Sequence, residues 1–188
     1  MSATIRNAVT KMGLVVTAAT LFAGAATSQA AEVKVEWVEP TKYVDVKPSN
    51  EPRKRFRERT LEQLETFMLE LGEKLPSEQS LTLKVTNLDL AGHVWPASFA
   101  GFGNSMTDVR IIRSLDIPRM TVSYTLTEND RIVQQGEDIK IKDMAFMDSR
   151  VRPLNRDTLV YEKAMIEDWF DDTFSKSFAS NQCFVHRM

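Results

Sequence analysis

Arg119-Met120-Thr121-Val122-Ser123-Tyr124-Thr125-Leu126-Thr127 alternates apolar and polar side chains through its whole length. A period of two places Met120, Val122, Tyr124 and Leu126 on one face of a half-buried strand. Glu128-Asn129-Asp130 follows with turn chemistry, and Arg131 to Lys142 runs back, so the stretch predicts an antiparallel hairpin. Working outward, Val33, Val35 and Trp37 alternate with Lys34 and Glu36, and Leu81, Leu83 and Val85 open a strand over 80–90. Carried past Val85, the same phase turns Asn87 and Asp89 inward unless a bulge intervenes. Val109 to Arg113 reads as a further short strand.

The helices carry a different period. Phe56, Thr60, Leu64, Phe67, Met68 and Leu71 recur at spacings of three and four, which predicts an amphipathic helix over about 51–73. Ser49-Asn50 offers its cap, and Gly72 and Pro76 its end. Leu159, Ile166, Trp169, Phe170 and Phe174 predict a second helix over about 158–175, capped by Asn155 or Asp157. The fold expected is α+β, a mainly antiparallel sheet of about four to five strands with two amphipathic helices packed on one face.

The chain has 188 residues, 43% of them hydrophobic and 27% charged, an ordinary globular composition. Its first thirty residues have the form of a secretory signal peptide. Arg6 and Lys11 are followed by the apolar run Leu14 to Ala26, and Ser28-Gln29-Ala30 puts small residues before a cut after Ala30. Cleavage leaves residues 31–188 as a single exported domain with no spanning segment. It also leaves 22 basic against 26 acidic residues, a net charge of −4 that disfavours nucleic acid as a partner. Cys183 is the sole cysteine, so an oxidising compartment leaves two readings: an inert thiol, or a homodimer bridged at Cys183.

Five cations crowd the start of the first helix at Arg53, Lys54, Arg55, Arg57 and Arg59. Cations there oppose the helix dipole and invite a compensating anion. At helical spacing Arg53 and Arg57 share the side of Phe56 and Leu64, where inward-phased Asp89 or an anionic ligand would meet them, whereas Arg55 and Arg59 point away. Between the strands, 92–107 reads as a long glycine-punctuated loop carrying Trp95, Phe99 and Phe102, which cover the sheet's end or greet a partner. Arg119 and Tyr124 complete the ligand- or partner-binding candidates Arg53, Arg57, Asp89, Trp95, Phe102, Arg119 and Tyr124, with Glu162 and Lys163 expected to join a polar network at the helix–sheet junction.

The acidic cluster Glu167, Asp168, Asp171 and Asp172 splits over two helix flanks and does not converge as a hard cation requires. His93 and His186 lack the spacing of a zinc motif, so neither a metal nor another cofactor is expected. Neither Ser105 nor Cys183 with His186 forms a recognised nucleophile and base.

Several stretches together resemble a known family: Val35 to Pro40 with Tyr43-Val44-Asp45, the Arg-rich helix start through Arg59, and Leu88 to Gly92. Pro118-Arg119, Ser123 to Leu126, Tyr161-Glu162-Lys163 and Trp169-Phe170 continue the likeness. It is the bacterial domain of unknown function 3016 family, small exported proteins mostly of Gram-negative proteobacteria. The resemblance implies a periplasmic location and carries no activity. The function expected is therefore a non-enzymatic binding or envelope-associated module whose partner is an envelope component or anionic ligand. The alternative is a small periplasmic hydrolase using carboxylates such as Asp89 and Glu162 with an arginine.

Overall fold

The computed structural model describes residues 31–99, 101, 107–148 and 157–182, with only the backbone described over 176–182. The expected signal peptide, Phe102, Ser105, Asn155, Cys183 and His186 lie outside the described residues. In chain order the elements are β1 (Glu32–Trp37), a 3-10 turn (Pro40–Lys42), α1 (Arg53–Gly72), β2 (Gln79–Asp89), β3 (His93–Pro96), β4 (Asp108–Ile111), β5 (Arg119–Glu128), β6 (Arg131–Lys142) and α2 (Val160–Gln182).

Four strands form the main sheet in the order β1-β2-β5-β6. β1 and β2 run parallel, as strands joined through a helix can, and the other two pairings are antiparallel. The β5–β6 hairpin turns at Asn129 and Asp130, both at positive φ (48° and 62°), the backbone a two-residue hairpin needs and one that Asn and Asp tolerate.

Register shows that both helices share one face. Val35, Leu83 and Tyr124 are consecutive cross-strand partners. α1 closes on this face at its end, where a Cβ on Gly72 would strike Val33. α2 closes on it through Trp169 and Phe174, which meet the Tyr124 ring edge-on at 5.9 and 5.3 Å. Leu64, Met68, Ile166, Phe170 and Phe174 pack there with Leu81, Leu83, Val122 and Leu126 in one core. The α+β architecture expected from the sequence is the one observed.

Two expectations change. A register shift between Val85 and Asn87 inserts a bulge into β2, so Leu88 pairs with Met120 on the core side and Asp89 turns to the open face. The inward phase of Asp89 is thereby reversed. The segment read as a loop from 92 begins instead with β3, which pairs antiparallel with β4 in a separate two-stranded sheet. Gly92, at φ 78°, turns the chain into it, and a Cβ there would lie 2.5 Å from the Ile111 carbonyl.

The start of α1 also differs from expectation. α1 begins after Pro52 with no side-chain cap, leaving Ser49 and Asn50 free of that role. Ahead of α2, Asp157 Oδ1 accepts the Leu159 N–H at 2.9 Å, and Asp157 Oδ2 accepts from Lys163 Nζ.

Candidate functional site

A cavity of about 370 Å³ lies where the starts of α1 and α2 face the end of β2 and the strand β4. Phe56 and Arg59 come from the first two turns of α1. Leu90 and Ala91 follow β2, and Arg110 and Ile112 come from β4 and just beyond. Thr158 and Leu159 lie just ahead of α2, Tyr161 and Glu162 stand in its first turn, and Ser49, Asn50 and Glu51 close the rim. The floor is apolar because the bulge in β2 turns Leu90 inward while α2 presents Leu159 at the head of its stripe.

Glu162 is the polar centre of this cavity. Its side chain is only 2% exposed, Oε1 accepts the Ala91 N–H at 2.7 Å, and Oε2 has no hydrogen-bond partner among the described residues. Burial pushes its carboxyl up from the ordinary value, against the opposing pull of the Ala91 N–H, its own backbone N–H and the nearby Arg110 guanidinium.

Arg110 is committed elsewhere. Nη1 lies 3.0 Å from Asp45 Oδ2 and also donates to the carbonyls of Ala91 and Gly92, while Nη2 donates to the Lys47 carbonyl. At the rim, both terminal nitrogens of Arg59 donate to the Glu51 carboxylate, with the guanidinium 5.7 Å from the Phe56 ring centre. The site is thus an apolar pocket with two compensated arginines and one uncompensated carboxyl, a form suited to holding a small molecule.

The residues expected to carry function do not converge. Arg53 is exposed and Arg57 half-buried, neither makes an ion pair among the described residues, and neither meets Asp89. The face reversal at the bulge is the reason: Asp89 pairs instead with its cross-strand neighbour Arg119 at 3.0 Å on the open face of the sheet. Arg59, read as pointing away from the core, curls back to Glu51. Lys140 and Lys142 flank the Asp89–Arg119 pair in a separate groove.

Trp95 is half-buried on β3, edge-on to His93 and 5.4 Å below the Arg113 guanidinium, whereas Phe99 is 80% exposed. Tyr124 serves the helix–sheet junction, its hydroxyl accepting from Gln134 Nε2 at 3.0 Å. Glu162 and Lys163 part company, Lys163 going to Asp157. Asp89 and Glu162, the two carboxylates of the hydrolase reading, line different cavities. In the acidic cluster, Glu167 and Asp171 both bind Lys74.

The sequence reading passed over Asp45, Glu51 and Arg110. Arg110 carries no pattern signal, since three of its acceptors are backbone carbonyls. Glu162 did carry one: it stands three residues after Leu159 and four before Ile166, inside the apolar stripe and not beside it.

Fold and site together define an α+β protein with a small-molecule-sized cavity on the helix-covered side of its sheet. A family model described as "Protein of unknown function (DUF3016)" matches residues 31–172, and the chain belongs to that family. No curated protein matches it, and no solved structure does. Among the described residues no helix is long and apolar enough to cross a membrane.

Proposed function

We propose that this chain is an exported, non-enzymatic binding module of the periplasm that takes a small ligand into the cavity between the starts of α1 and α2. The observation that carries this reading is Glu162, buried at the cavity with Oε2 unpartnered. A buried polar atom without a partner costs about 1–3 kcal/mol, and a ligand that satisfies it recovers that cost. The apolar floor supplies area, and the carboxyl supplies orientation.

Export rests on the charged start, apolar run and small residues ahead of Ala31. The family match begins at residue 31, immediately after the expected cleavage point. The non-enzymatic reading draws on the separation of Asp89 from Glu162 and on the absence from the sequence of a recognised nucleophile and base.

Native mass spectrometry of protein purified gently from its host's periplasm tests both parts. The expected mass is that of a chain beginning at Ala31 plus a small molecule. Thr158→Trp, which fills the rim from an exposed position, is expected to lose that molecule. A chain retaining Met1 overturns cleavage after Ala30, and absence of the protein from the periplasmic fraction overturns export. A bare wild-type chain that also takes up nothing from periplasmic extract overturns binding.

A further inference from the structure

We infer that the cavity's ligand is a small amphipathic carboxylate, one oxygen of which accepts a hydrogen bond from Glu162 Oε2 while its apolar body lies against Leu90, Ile112 and Leu159. The inference rests on the binding reading above and assigns its chemical class.

The Ala91 N–H decides which oxygen of Glu162 is available. Because Oε1 accepts that bond at 2.7 Å, it presents a lone pair, and a proton on the carboxyl sits on Oε2. Oε2 is buried and unpartnered, so a neutral Glu162 offers the cavity a donor, not an acceptor. An ionised carboxylate with one oxygen unpaired in such a place is strongly disfavoured, in keeping with the upward direction of its titration. The complementary ligand atom is an acceptor.

Charge then selects among acceptors. The groups facing Glu162 are Arg110 from β4, Asp157 from the residues ahead of α2, Arg59 from α1 and Glu51 from the rim. Arg110 pairs with Asp45, Arg59 with Glu51, and Asp157 with Lys163, so the cavity holds no carboxylate free to receive a cation. The two guanidinium groups are used up in the same pairs, so what tips the cavity toward an anion is the N-terminal ends of the two helices at its rim. An ammonium ligand would oppose both helix ends and would need Glu162 ionised. A carboxylate accepts the hydrogen bond from protonated Glu162 Oε2 as a charge-assisted bond and gains from the helix ends.

The test titrates full-length mature protein with hexanoate, hexylammonium and hexanol across pH, using wild type, Glu162→Gln, Glu162→Met and Thr158→Trp, with circular dichroism to verify folding. Hexanoate is expected to bind wild type at least about tenfold more tightly than the other two probes. Its affinity is expected to fall as rising pH ionises Glu162. Glu162→Gln keeps an acceptor for the Ala91 N–H and a permanent donor toward the cavity, so it is expected to bind hexanoate without that pH dependence. Glu162→Met and Thr158→Trp are expected to lose binding by about tenfold or more.

Preferential binding of hexylammonium, strengthening with pH, overturns the carboxylate inference and leaves the binding module standing. Hexanoate affinity unchanged in Thr158→Trp places the probe elsewhere and overturns the inference. Failure of every probe overturns it too, and the bare or loaded state of the periplasmic protein then decides the broader reading separately.

Discussion

Arg110 Nη1 stands 3.0 Å from Asp45 Oδ2, joining residues 65 positions apart in a pair that is mostly buried. The same guanidinium holds the carbonyls of Lys47, Ala91 and Gly92. Four acceptors on one fork thus fasten the segment before α1, the end of β2 and the small β3–β4 sheet to one another. Glu162 adds a fifth tie by accepting the Ala91 N–H. Asp45 Oδ1 has no partner among the described residues, so this pair fixes the arrangement of segments more than it adds net stability.

Removing the cation alone is therefore expensive. Arg110→Met leaves Asp45 buried without its countercharge, and a loss of roughly 3–5 kcal/mol is expected from urea unfolding. Asp45→Leu combined with Arg110→Met removes the stranded charge and is expected to recover part of the loss. A single-variant loss below about 1 kcal/mol would show that the pair does not fasten these segments.

Asp89 and Arg119 provide the contrast. They too are 3.0 Å apart, but although burial pushes the Asp89 carboxyl up, the Arg119 side chain is 52% exposed and solvent screens the pair from that side. A double-variant cycle with Asp89→Asn and Arg119→Gln is expected to give a coupling of about 0.2–1 kcal/mol that shrinks at high salt. A coupling several times larger would contradict the open-face placement of Asp89.

Tyr124 fills the space opposite Gly136, where a Cβ would lie 2.6 Å from the ring. Its ring is held edge-on by Trp169 and Phe174 and has little room to yield. Gly136→Ala is expected to destabilise by about 1–3 kcal/mol and to shift Trp169 fluorescence, read with Trp37 and Trp95 replaced. An alanine variant as stable as wild type would place the ring elsewhere.

What the sequence made legible is what periodicity encodes. Val33 to Trp37, Leu81 to Val85 and Met120 to Leu126 announced strands, the Phe56–Leu71 and Leu159–Phe174 stripes announced helices, and Asn129-Asp130 announced the hairpin turn. The bulge at Thr86 left no such trace, because one inserted residue changes the phase without changing composition. That one residue moved Asp89 to the opposite face and with it the expected partnership with Arg53 and Arg57. The cavity was hidden for a related reason: Arg110 is satisfied mainly by backbone carbonyls, which sequence cannot display. Glu162 was readable, since a glutamate within an apolar stripe is a buried carboxyl in waiting.

That buried carboxyl makes a prediction about pH. Burial raises the Glu162 value in the folded protein above the ordinary 4.5 of the unfolded chain. The folded state therefore binds this proton more tightly than the unfolded state does. Its contribution to stability is full below about pH 4.5 and drains away as pH rises through the folded value. Glu162→Gln keeps an acceptor for Ala91 and has no proton to lose, so its unfolding free energy is expected to stay flatter over the same range. The two profiles, measured by urea unfolding at successive pH values, are expected to diverge with the variant gaining as pH rises. Parallel profiles would mean that Glu162 is ionised in the folded protein, in which case Oε2 carries no proton and the donor assigned to the cavity does not exist.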